Sequence, residues 1–370
     1  MKVPMLDPVA ENAEALPRLL AAAQRVLASG RYIGGPEVAR FESSLAQEIA
    51  VEHAVGCSTG SDALWLALTA LDLQPGDEVI TTAFSFVASA TAIVRAGARP
   101  VFVDIDPETF NIDPGAVAAA LGPRTRAVLA VHLFGQPADI AGIEVALTGT
   151  HVELIEDTAQ ALGASLPDGR SAGAAGGFGC VSFFPSKTLG GFGDGGAVLT
   201  NDATRANRVR RLLAHGAIRR HEHHELGWNC RLDALQAALL TEKLPGLRGA
   251  LAARAAHARA YDDALAHVPG LARSAVGVGS VHGVYTVRVL AGRDQRDQLL
   301  QHLREAEIEA AVYYTKPLYH QPPLRPYAPR APLEHTEVAC EQVLSLPLYP
   351  ELTVAQREHV VAQLQRGLAV

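Results

Sequence analysis

The sequence predicts an α/β fold, with a mostly parallel sheet flanked by helices, followed by a smaller α+β domain. Between residues 50 and 200, short apolar runs alternate with helical stretches, which is typical of parallel sheets covered by helices. Residues 231–265 are then helical in pattern for most of their length, with an interruption at Pro245-Gly246. Strand and helix patterns continue beyond it over a shorter span. We therefore place the two domains at residues 1–245 and 246–370.

The alternation can be followed along the chain. "HAVGCSTG" leads into "SDALWLALTALDL", which carries a broad apolar helical face and ends before Pro75-Gly76. Strand and helix patterns then alternate through "DEVITTA", "SFVASATAIVRAG", "RPVFVDI", "DPGAVAAAL", "RAVLAVHLFG" and "VELIEDTA". In the second domain, "HGVYTVRVL" predicts a strand, and "RDQLLQHLREAEI" and "TVAQREHVVAQLQRGL" predict helices. The Pro-rich residues 317–332 predict a loop.

Composition excludes several classes of protein. A net charge of −7 over 370 residues gives no electrostatic reason to expect nucleic acid or anionic membranes as partners. Four cysteines stand far apart without a C-x-x-C pair, which argues against a zinc site or a disulfide framework. The first residues do not resemble a signal peptide, and no run reaches the ~18 apolar residues of a membrane span. These observations predict a cytoplasmic protein.

Two motifs resemble a dinucleotide-binding site and a metal site, but the residues around them do not support these interpretations. "GFGDGG" (Gly191 to Gly196) matches G-x-G-x-x-G, but a dinucleotide fingerprint opens a helix, whereas "AVLT" predicts a strand here. "HEHHE" (His221 to Glu225) lacks the spacing that places both histidines of H-E-x-x-H on one helical face. We therefore expect no metal site there, and favour a solvated loop or a basic cluster that contacts substrate.

Two further stretches are suited to a phosphorylated cofactor. "STGSDALWLAL" places small hydroxylic residues and a glycine before a helix, where free amides and the helix dipole can hold a phosphate. The alternative is an ordinary helix cap at Ser61 or Asp62. "VELIEDTAQALGA" ends an apolar strand with Glu156-Asp157, and open α/β sheets bind ligands at this end of a strand. The alternative there is a cap for a helix over "TAQAL".

Lys187 is unusual because only four of the 32 Lys and Arg residues are lysines. It stands among aromatics, serines and glycines in "VSFFPSKTLGGFGDGG". A desolvated lysine has a lowered pKa and can attack a carbonyl to form a Schiff base. Arginine cannot do this because its guanidinium stays protonated. A phosphate-binding or surface lysine is the alternative.

A phosphate-binding turn, a carboxylate ending a strand and a lysine in a Ser/Gly-rich turn resemble a fold-type I pyridoxal-phosphate enzyme. The sequence motifs are more closely similar to those of the sugar aminotransferases of the DegT/DnrJ/EryC1/StrS family. The matching pieces follow the family order over residues 32–240, with weaker support from "KPLYHQPPLRPY". They are "YIGGPEVARFE", "GSDALWLAL", "PGDEVITTAFSFVASATAI", "VHLFGQPADI", "IEDTAQALGA", "SFFPSKTLGGFGDGGAV" and "GWNCRLDALQAALL".

The resemblance implies a role for four residues around the ring of pyridoxal 5'-phosphate. Lys187 would hold the cofactor as a Schiff base and then move protons during the reaction. Asp157 would pair with the pyridine nitrogen and keep the ring protonated as an electron sink. Gln160 would contact the ring hydroxyl, and Phe86 would stack on the ring face.

Phosphate binding and assembly are implied in the same way. Gly60, Ser61 and Ser182 would bind the cofactor phosphate. Asn229 would reach the phosphate of the neighbouring subunit, which makes the expected active unit a homodimer with its sites at the interface. The family commonly has Gly-Thr-Asp where this chain has Gly60-Ser61-Asp62, and serine keeps the hydroxyl. Lys187 argues against the branch that carries histidine there and performs dehydration.

The implied reaction is amino transfer, from glutamate, to a keto group of a nucleotide-linked deoxysugar. The region around "HGAIRRHEHHELGWN" favours C3 of the sugar over C4. Arg219, Arg220 and His221 would face the pyrophosphate, and Tyr313 and His320 would contact the sugar. Two alternatives from other classes are a nicotinamide-dependent oxidoreductase based on "GFGDGG" and a cofactor-binding regulator without turnover.

Overall fold

A seven-stranded mixed sheet forms the centre of the first domain in the computed structural model, which describes residues 1–369. Val370, the last residue of the predicted second domain, lies outside them. The strands are β1 (His53–Cys57), β2 (Glu78–Thr82), β3 (Arg99–Val103), β4 (Thr125–Val131), β5 (Glu153–Asp157), β6 (Phe178–Ser182) and β7 (Gly196–Thr200). Their order is β1-β7-β6-β5-β4-β2-β3, and β7 runs antiparallel to both neighbours. The predicted mixed, mostly parallel sheet is confirmed.

Helices cover both faces of this sheet, because its central strands bury side chains on each side. For example, Leu19, Ala22 and Val26 lie on one face of α2 and pack with Ala234 and Ala238 of α9. The helices of this part are α1 (Pro8–Asn12), α2 (Leu16–Ser29), α3 (Pro36–Ile49), α4 (Gly60–Thr69), α5 (Val87–Arg95), α6 (Pro114–Ala120), α7 (Ile140–Ala146), α8 (Ala203–Leu212) and α9 (Ala234–Lys243). The next helix, α10 (Leu247–Leu265), places Ala258, Tyr261 and Leu265 in the core of the second unit. A short 3-10 helix at Leu244–Gly246 forms the predicted interruption between α9 and α10.

Two smaller sheets complete the fold. A hairpin joins β8 (Ala217–Arg219) and β9 (Glu222–His223), and an antiparallel sheet contains β10 (Leu271–Arg273), β11 (Tyr285–Val289) and β12 (Val343–Leu346). The latter packs against α11 (Arg293–Glu305) and α12 (Glu334–Gln342), and α13 (Val354–Leu368) packs on α11. Val3 joins the core of this second unit and bridges to Ile308. The domain boundary at 245/246 stays a prediction.

The Pro-rich residues 317–332 are more ordered than the predicted loop. They contain 3-10 helices at Leu318–His320 and Pro322–Tyr327. Proline favours such short turns because its ring fixes φ near the helical value. The segment packs on the sheet edge, where Leu318 N–H donates to the carbonyl of Ala83 at 2.9 Å.

The parallel strands bring their carboxyl ends to one edge of the large sheet. Thr82, Val131, Asp157 and Ser182 are the last residues of β2, β4, β5 and β6. Ligands of open α/β sheets bind at this edge. Among residues 1–369, no helix combines the length and apolar character needed to cross a membrane.

Candidate active site

Lys187 lies in a tight turn between β6 and β7. Its backbone N–H donates to the carbonyl of Phe184 at 2.8 Å. Gly190 permits this turn, because a Cβ there would lie 2.3 Å from the carbonyl oxygen of Pro185. Burial lowers the pKa of the Lys187 amine, and the negative charge of Asp157 acts in the opposite direction. A lysine in this setting can supply a neutral amine for attack on a carbonyl.

The glycine-rich run after Lys187 enters a strand, as the sequence predicts. Gly196 begins β7, and a Cβ on it would lie 2.4 Å from the carbonyl oxygen of Thr59. Glycine is therefore required here for the close approach of two backbone segments. Since no helix opens at this run, it lacks the geometry of a dinucleotide fingerprint.

The phosphate-binding residues of the prediction meet at the start of α4. Thr59 caps the helix, in place of Ser61 or Asp62, because its Oγ1 accepts the Asp62 N–H at 2.9 Å. The first-turn amides of Gly60 and Ser61 have no partners inside the helix. A Cβ on Gly60 would lie 2.5 Å from Cβ and 2.9 Å from Oγ of Ser182, so glycine admits the end of β6. Free amides, a hydroxyl and the helix dipole are suited to a phosphate.

Asp157 ends β5 with a buried carboxylate. Its Oδ2 accepts the Ser89 hydroxyl at 3.0 Å, and its Oδ1 accepts the Ala159 N–H at 3.1 Å. Burial raises the pKa of Asp157, although these hydrogen bonds and the Lys187 charge act to lower it. The "TAQAL" segment forms a turn and not the helix considered as an alternative. A buried carboxylate of this kind fits a cationic ring nitrogen.

Glu156 points to the opposite side of the strand and has a different task. Its carboxylate accepts three backbone N–H groups of residues 173–176 at 2.7 to 2.9 Å and lies 2.9 Å from His132 Nε2. His132 Nδ1 accepts the Ala138 N–H at 2.9 Å, so the ring proton is on Nε2 and is donated to Glu156. Adjacent strand residues face opposite sides, which separates the structural Glu156 from Asp157.

Replacing Glu156 with glutamine is expected to lower the free energy of unfolding at neutral pH by about 3 kcal/mol. Burial opposes ionisation, but the hydrogen bonds from His132 and the loop hold the pKa of Glu156 below its ordinary value of 4.5. This contribution is full above that value and is lost as the pH falls through the folded-state pKa. Urea unfolding at neutral and acidic pH should show less acid dependence in the variant. Glu144→Gln, at an exposed ion pair with Arg170, is the control.

Gln160 is held in one orientation beside the predicted ring position. Its Oε1 accepts the Phe134 N–H at 2.6 Å, so its Nε2 faces Tyr314 Oη at 3.3 Å. Burial raises the pKa of Tyr314, and the charge of Asp157 adds to this effect. Tyr313 is among the residues predicted from the sequence and Tyr314 is not, because nothing in "VYYTKP" distinguishes two adjacent tyrosines.

Two of the remaining predicted cofactor contacts are exposed in the single chain. Phe86 precedes α5 at the carboxyl edge of the sheet and is 57% exposed. Asn229 is also exposed, and its Oδ1 accepts the Arg231 Nε–H at 3.0 Å. Their roles toward the cofactor stay predictions.

The predicted substrate residues lie farther out. Arg219, Arg220 and His221 are exposed on the β8–β9 hairpin, and within residues 1–369 they form no hydrogen bond or ion pair with Lys187 or Asp157. The hairpin is tied to α8 by Glu225, which pairs with Arg208 at 3.3 Å and Arg211 at 2.9 Å. These three residues are therefore exposed to solvent on a hairpin that ion pairs hold against α8.

Tyr313 precedes the 317–332 segment, and His320 lies within it. The ring of Tyr313 is 5.9 Å from that of Tyr314, next to the site. His320 Nε2 lies 3.4 Å from the carboxylate of Glu337 and borders an open cavity of about 330 Å³. Only the first therefore has a described link to the Gln160 side of the site.

The residues present fit pyridoxal phosphate. They provide an amine of lowered pKa, a buried carboxylate, an amide and a helix N-terminus, each suited to a different part of the cofactor. When bound, pyridoxal phosphate supplies an electron sink for amino-acid chemistry. Beside it, Lys187 would take up and return a proton, and Asp157 and Gln160 would orient the ring.

Comparisons with known proteins agree with this fit. The model of the DegT/DnrJ/EryC1/StrS aminotransferase family matches residues 16–365. The pleiotropic regulatory protein of Geobacillus stearothermophilus is 41% identical over 369 residues, which cover 98% of each chain. The UDP-2-acetamido-2-deoxy-3-oxo-D-glucuronate aminotransferase of Pseudomonas aeruginosa is 40% identical over 364 residues, covering 98% of this chain and 99% of that protein.

A solved structure gives the same result for the fold. DesV of S. venezuelae, in complex with a ketimine intermediate, has a TM-score of 0.94 and 39% identity. The match covers 99% of this chain and 98% of that one. The fold-type I prediction is thereby confirmed. The chain belongs to the DegT/DnrJ/EryC1/StrS aminotransferase family and is a pyridoxal-phosphate-dependent transaminase.

Proposed function

We propose that this transaminase transfers the amino group of glutamate to the C3 keto group of a nucleotide-linked deoxysugar. The observation that carries this proposal is the 40% identity, over nearly the full length, to a P. aeruginosa enzyme named for a 3-oxo sugar nucleotide. Amination at C4 of a related sugar is the alternative. The four cysteines, all buried thiols, support a reducing cytoplasm as the compartment.

The β8–β9 hairpin supports a diphosphate-linked substrate. Arg219, Arg220 and His221 place positive or protonatable groups on an exposed turn, and the Glu225 ion pairs hold that turn against α8. Arginine is well suited to phosphate oxygens because its guanidinium donates in a planar, bidentate geometry. In the proposed complex these residues face the pyrophosphate, and Tyr313 and His320 contact the sugar.

A panel of sugar nucleotides tests the proposed substrate. Purified holoenzyme is incubated with glutamate and matched 3-keto or 4-keto sugar nucleotides, and the amino sugar and 2-oxoglutarate are quantified by mass spectrometry. Turnover of the 3-keto members, at kcat/KM at least about tenfold above the 4-keto members, supports the proposal. Preference for the 4-keto members overturns it. Glutamate alone, followed by the absorption of the bound cofactor, tests the donor separately.

We also propose that the active unit is a homodimer with its sites at the subunit interface. Large apolar side chains near the Lys187 turn and the start of α9 are 41% to 54% exposed in the single chain, which favours cover by a second copy. They are Tyr32, Ile33, Phe184, Phe192 and Trp228. Trp228 directly precedes Asn229, the residue proposed to reach across the interface.

Mixing two inactive variants tests the cross-subunit role of Asn229. Asn229→Asp keeps the side-chain shape but places a carboxylate at the phosphate, so we expect weak cofactor binding. Lys187→Ala removes the amine. A dimer containing one subunit of each has one site with both native residues, so it should regain about half of the wild-type activity. Differently tagged copies, co-purified and assayed, give this result; an inactive mixed dimer would place Asn229 in its own subunit's site.

A further inference from the structure

Two buried serines continue the hydrogen-bond network of Asp157 away from the cofactor side. Ser89 lies in the first turn of α5, and Ser85 lies just before that helix. Both side chains are almost fully buried, at 1% and 2% exposure. Ser89 Oγ lies 3.0 Å from Asp157 Oδ2, and Ser85 Oγ lies 3.0 Å from Ser89 Oγ. The three residues therefore form one continuous chain.

The number of hydroxyl protons determines which group donates in each hydrogen bond of the Ser85–Ser89–Asp157 series. An ionised carboxylate can only accept, so the single hydroxyl proton of Ser89 is donated to Asp157. Ser85 must then donate its own proton to Ser89 Oγ. Each hydroxyl polarises the next in such an arrangement, which strengthens the final bond to the carboxylate. The Ala159 N–H occupies the other carboxylate oxygen, so the plane of the carboxylate is held at both ends.

We propose that Ser89, with its proton directed by Ser85, is a positioning residue that holds Asp157 ionised and oriented toward the ring nitrogen. This inference rests on the role proposed for Asp157 and is independent of the sugar substrate. Burial acts against ionisation of Asp157, and Ser89 is one of the groups that offset it. Four other titratable groups lie near Asp157: Lys187 after β6, His132 after β4, Cys180 on β6 and Tyr314.

Removing the Ser89 hydroxyl is expected to shift the pH dependence of the absorption of the bound cofactor. In Ser89→Ala, protonation of Asp157 becomes easier, so the acid-side midpoint in the absorption of the bound cofactor should rise by about one pH unit. The affinity of the cofactor-free protein for pyridoxal phosphate should fall by about tenfold at mildly acidic pH and recover as the pH rises. Ser85→Ala should shift the midpoint in the same direction by less, because Ser89 still donates.

Spectrophotometric pH titration and cofactor-binding titration of four proteins provide the test: wild type, Ser89→Ala, Ser85→Ala and Thr91→Ala. Thr91 lies on the same helix, is exposed and donates its hydroxyl to the carbonyl of Val87, so it controls for loss of a hydroxyl from α5. An unshifted midpoint in folded Ser89→Ala, or a larger shift in Ser85→Ala than in Ser89→Ala, overturns the proposal.

The remaining outcomes separate this inference from the roles on which it depends. If Ser89→Ala does not fold, Ser85→Ala and the hydroxyl-retaining Ser89→Thr carry the test: the first should shift and the second should not. If Asp157→Asn itself leaves the titration unchanged, the role of Asp157 is wrong. Because no sugar nucleotide enters these measurements, failure of the sugar-substrate proposal leaves their outcome unaffected.

Discussion

Lys187→Arg should retain the fold but lose transamination by at least about 10³-fold. The substitution keeps a positive charge beside Asp157, but a guanidinium stays protonated and offers no lone pair for covalent attachment. It also cannot return a proton during the reaction. The measurement is a single-turnover reaction with glutamate, followed through the absorption of the bound cofactor.

Borohydride reduction identifies the attachment site directly. In the wild type, peptide mass analysis should find the cofactor fixed to the peptide that contains Lys187, and in Lys187→Arg no peptide should carry it. Lys243→Arg is the matched control, because arginine can keep the ion pair that Lys243 makes with Glu11 at 3.0 Å. Cofactor trapped at Lys2, Lys243 or Lys316, or turnover by Lys187→Arg, would show that the role assigned to Lys187 is wrong.

Asp157→Asn should still bind the cofactor but lose transamination by about 10²-fold or more. The amide fills the same volume and can still accept a hydrogen bond from Ser89. It carries no charge, however, and therefore no longer stabilises a protonated ring nitrogen. The loss should appear mainly in kcat, since the phosphate-binding residues at α4 are untouched.

Steady-state kinetics and cofactor titration of the same preparations measure this effect. Asp139→Asn is a suitable control, because Asp139 caps α7 in an exposed position and asparagine can accept the same Gly142 N–H. If Asp157→Asn kept wild-type kcat, the ring nitrogen would have another partner. If it lost the cofactor altogether, Asp157 would act chiefly in binding.

Much of the fold follows from local patterns along the chain. The alternation of short apolar runs and helical stretches predicts the strands of the large sheet and the helices that cover it, because the apolar residues of each segment indicate which of its faces is buried. The antiparallel direction of β7, in contrast, cannot be predicted from a local pattern. It depends on pairing with β1 and β6, and a fully buried strand such as "GAVLT" has the same pattern in either direction.

The residues of the candidate site likewise fall into those that sequence motifs predict and those that only the structure reveals. Lys187, Asp157 and the Gly60–Ser61 turn stand in motifs whose chemistry can be read within a few residues, and the fold brings these motifs to one edge. The structure adds Tyr314, which meets Gln160 across 154 positions of sequence. It also adds Ser89, which meets Asp157 across 68 positions. Serines and tyrosines are common, so their sequence alone does not mark such partners.

Glu156 and Asp157 illustrate the physical reason. In the residue pattern alone they are two equivalent carboxylates at the end of one strand, and only the family resemblance singles out Asp157 for the ring nitrogen. The alternation of side chains along β5 then turns Glu156 toward His132 and the 173–176 loop, and Asp157 toward Ser89 and Lys187. Sequence was enough to determine the chemical groups and the cofactor they suit, because that information is local. That Glu156 serves stability, and that Asp157 is left buried on the side of Ser89 and Lys187, was decided only by contacts between distant segments in the folded chain.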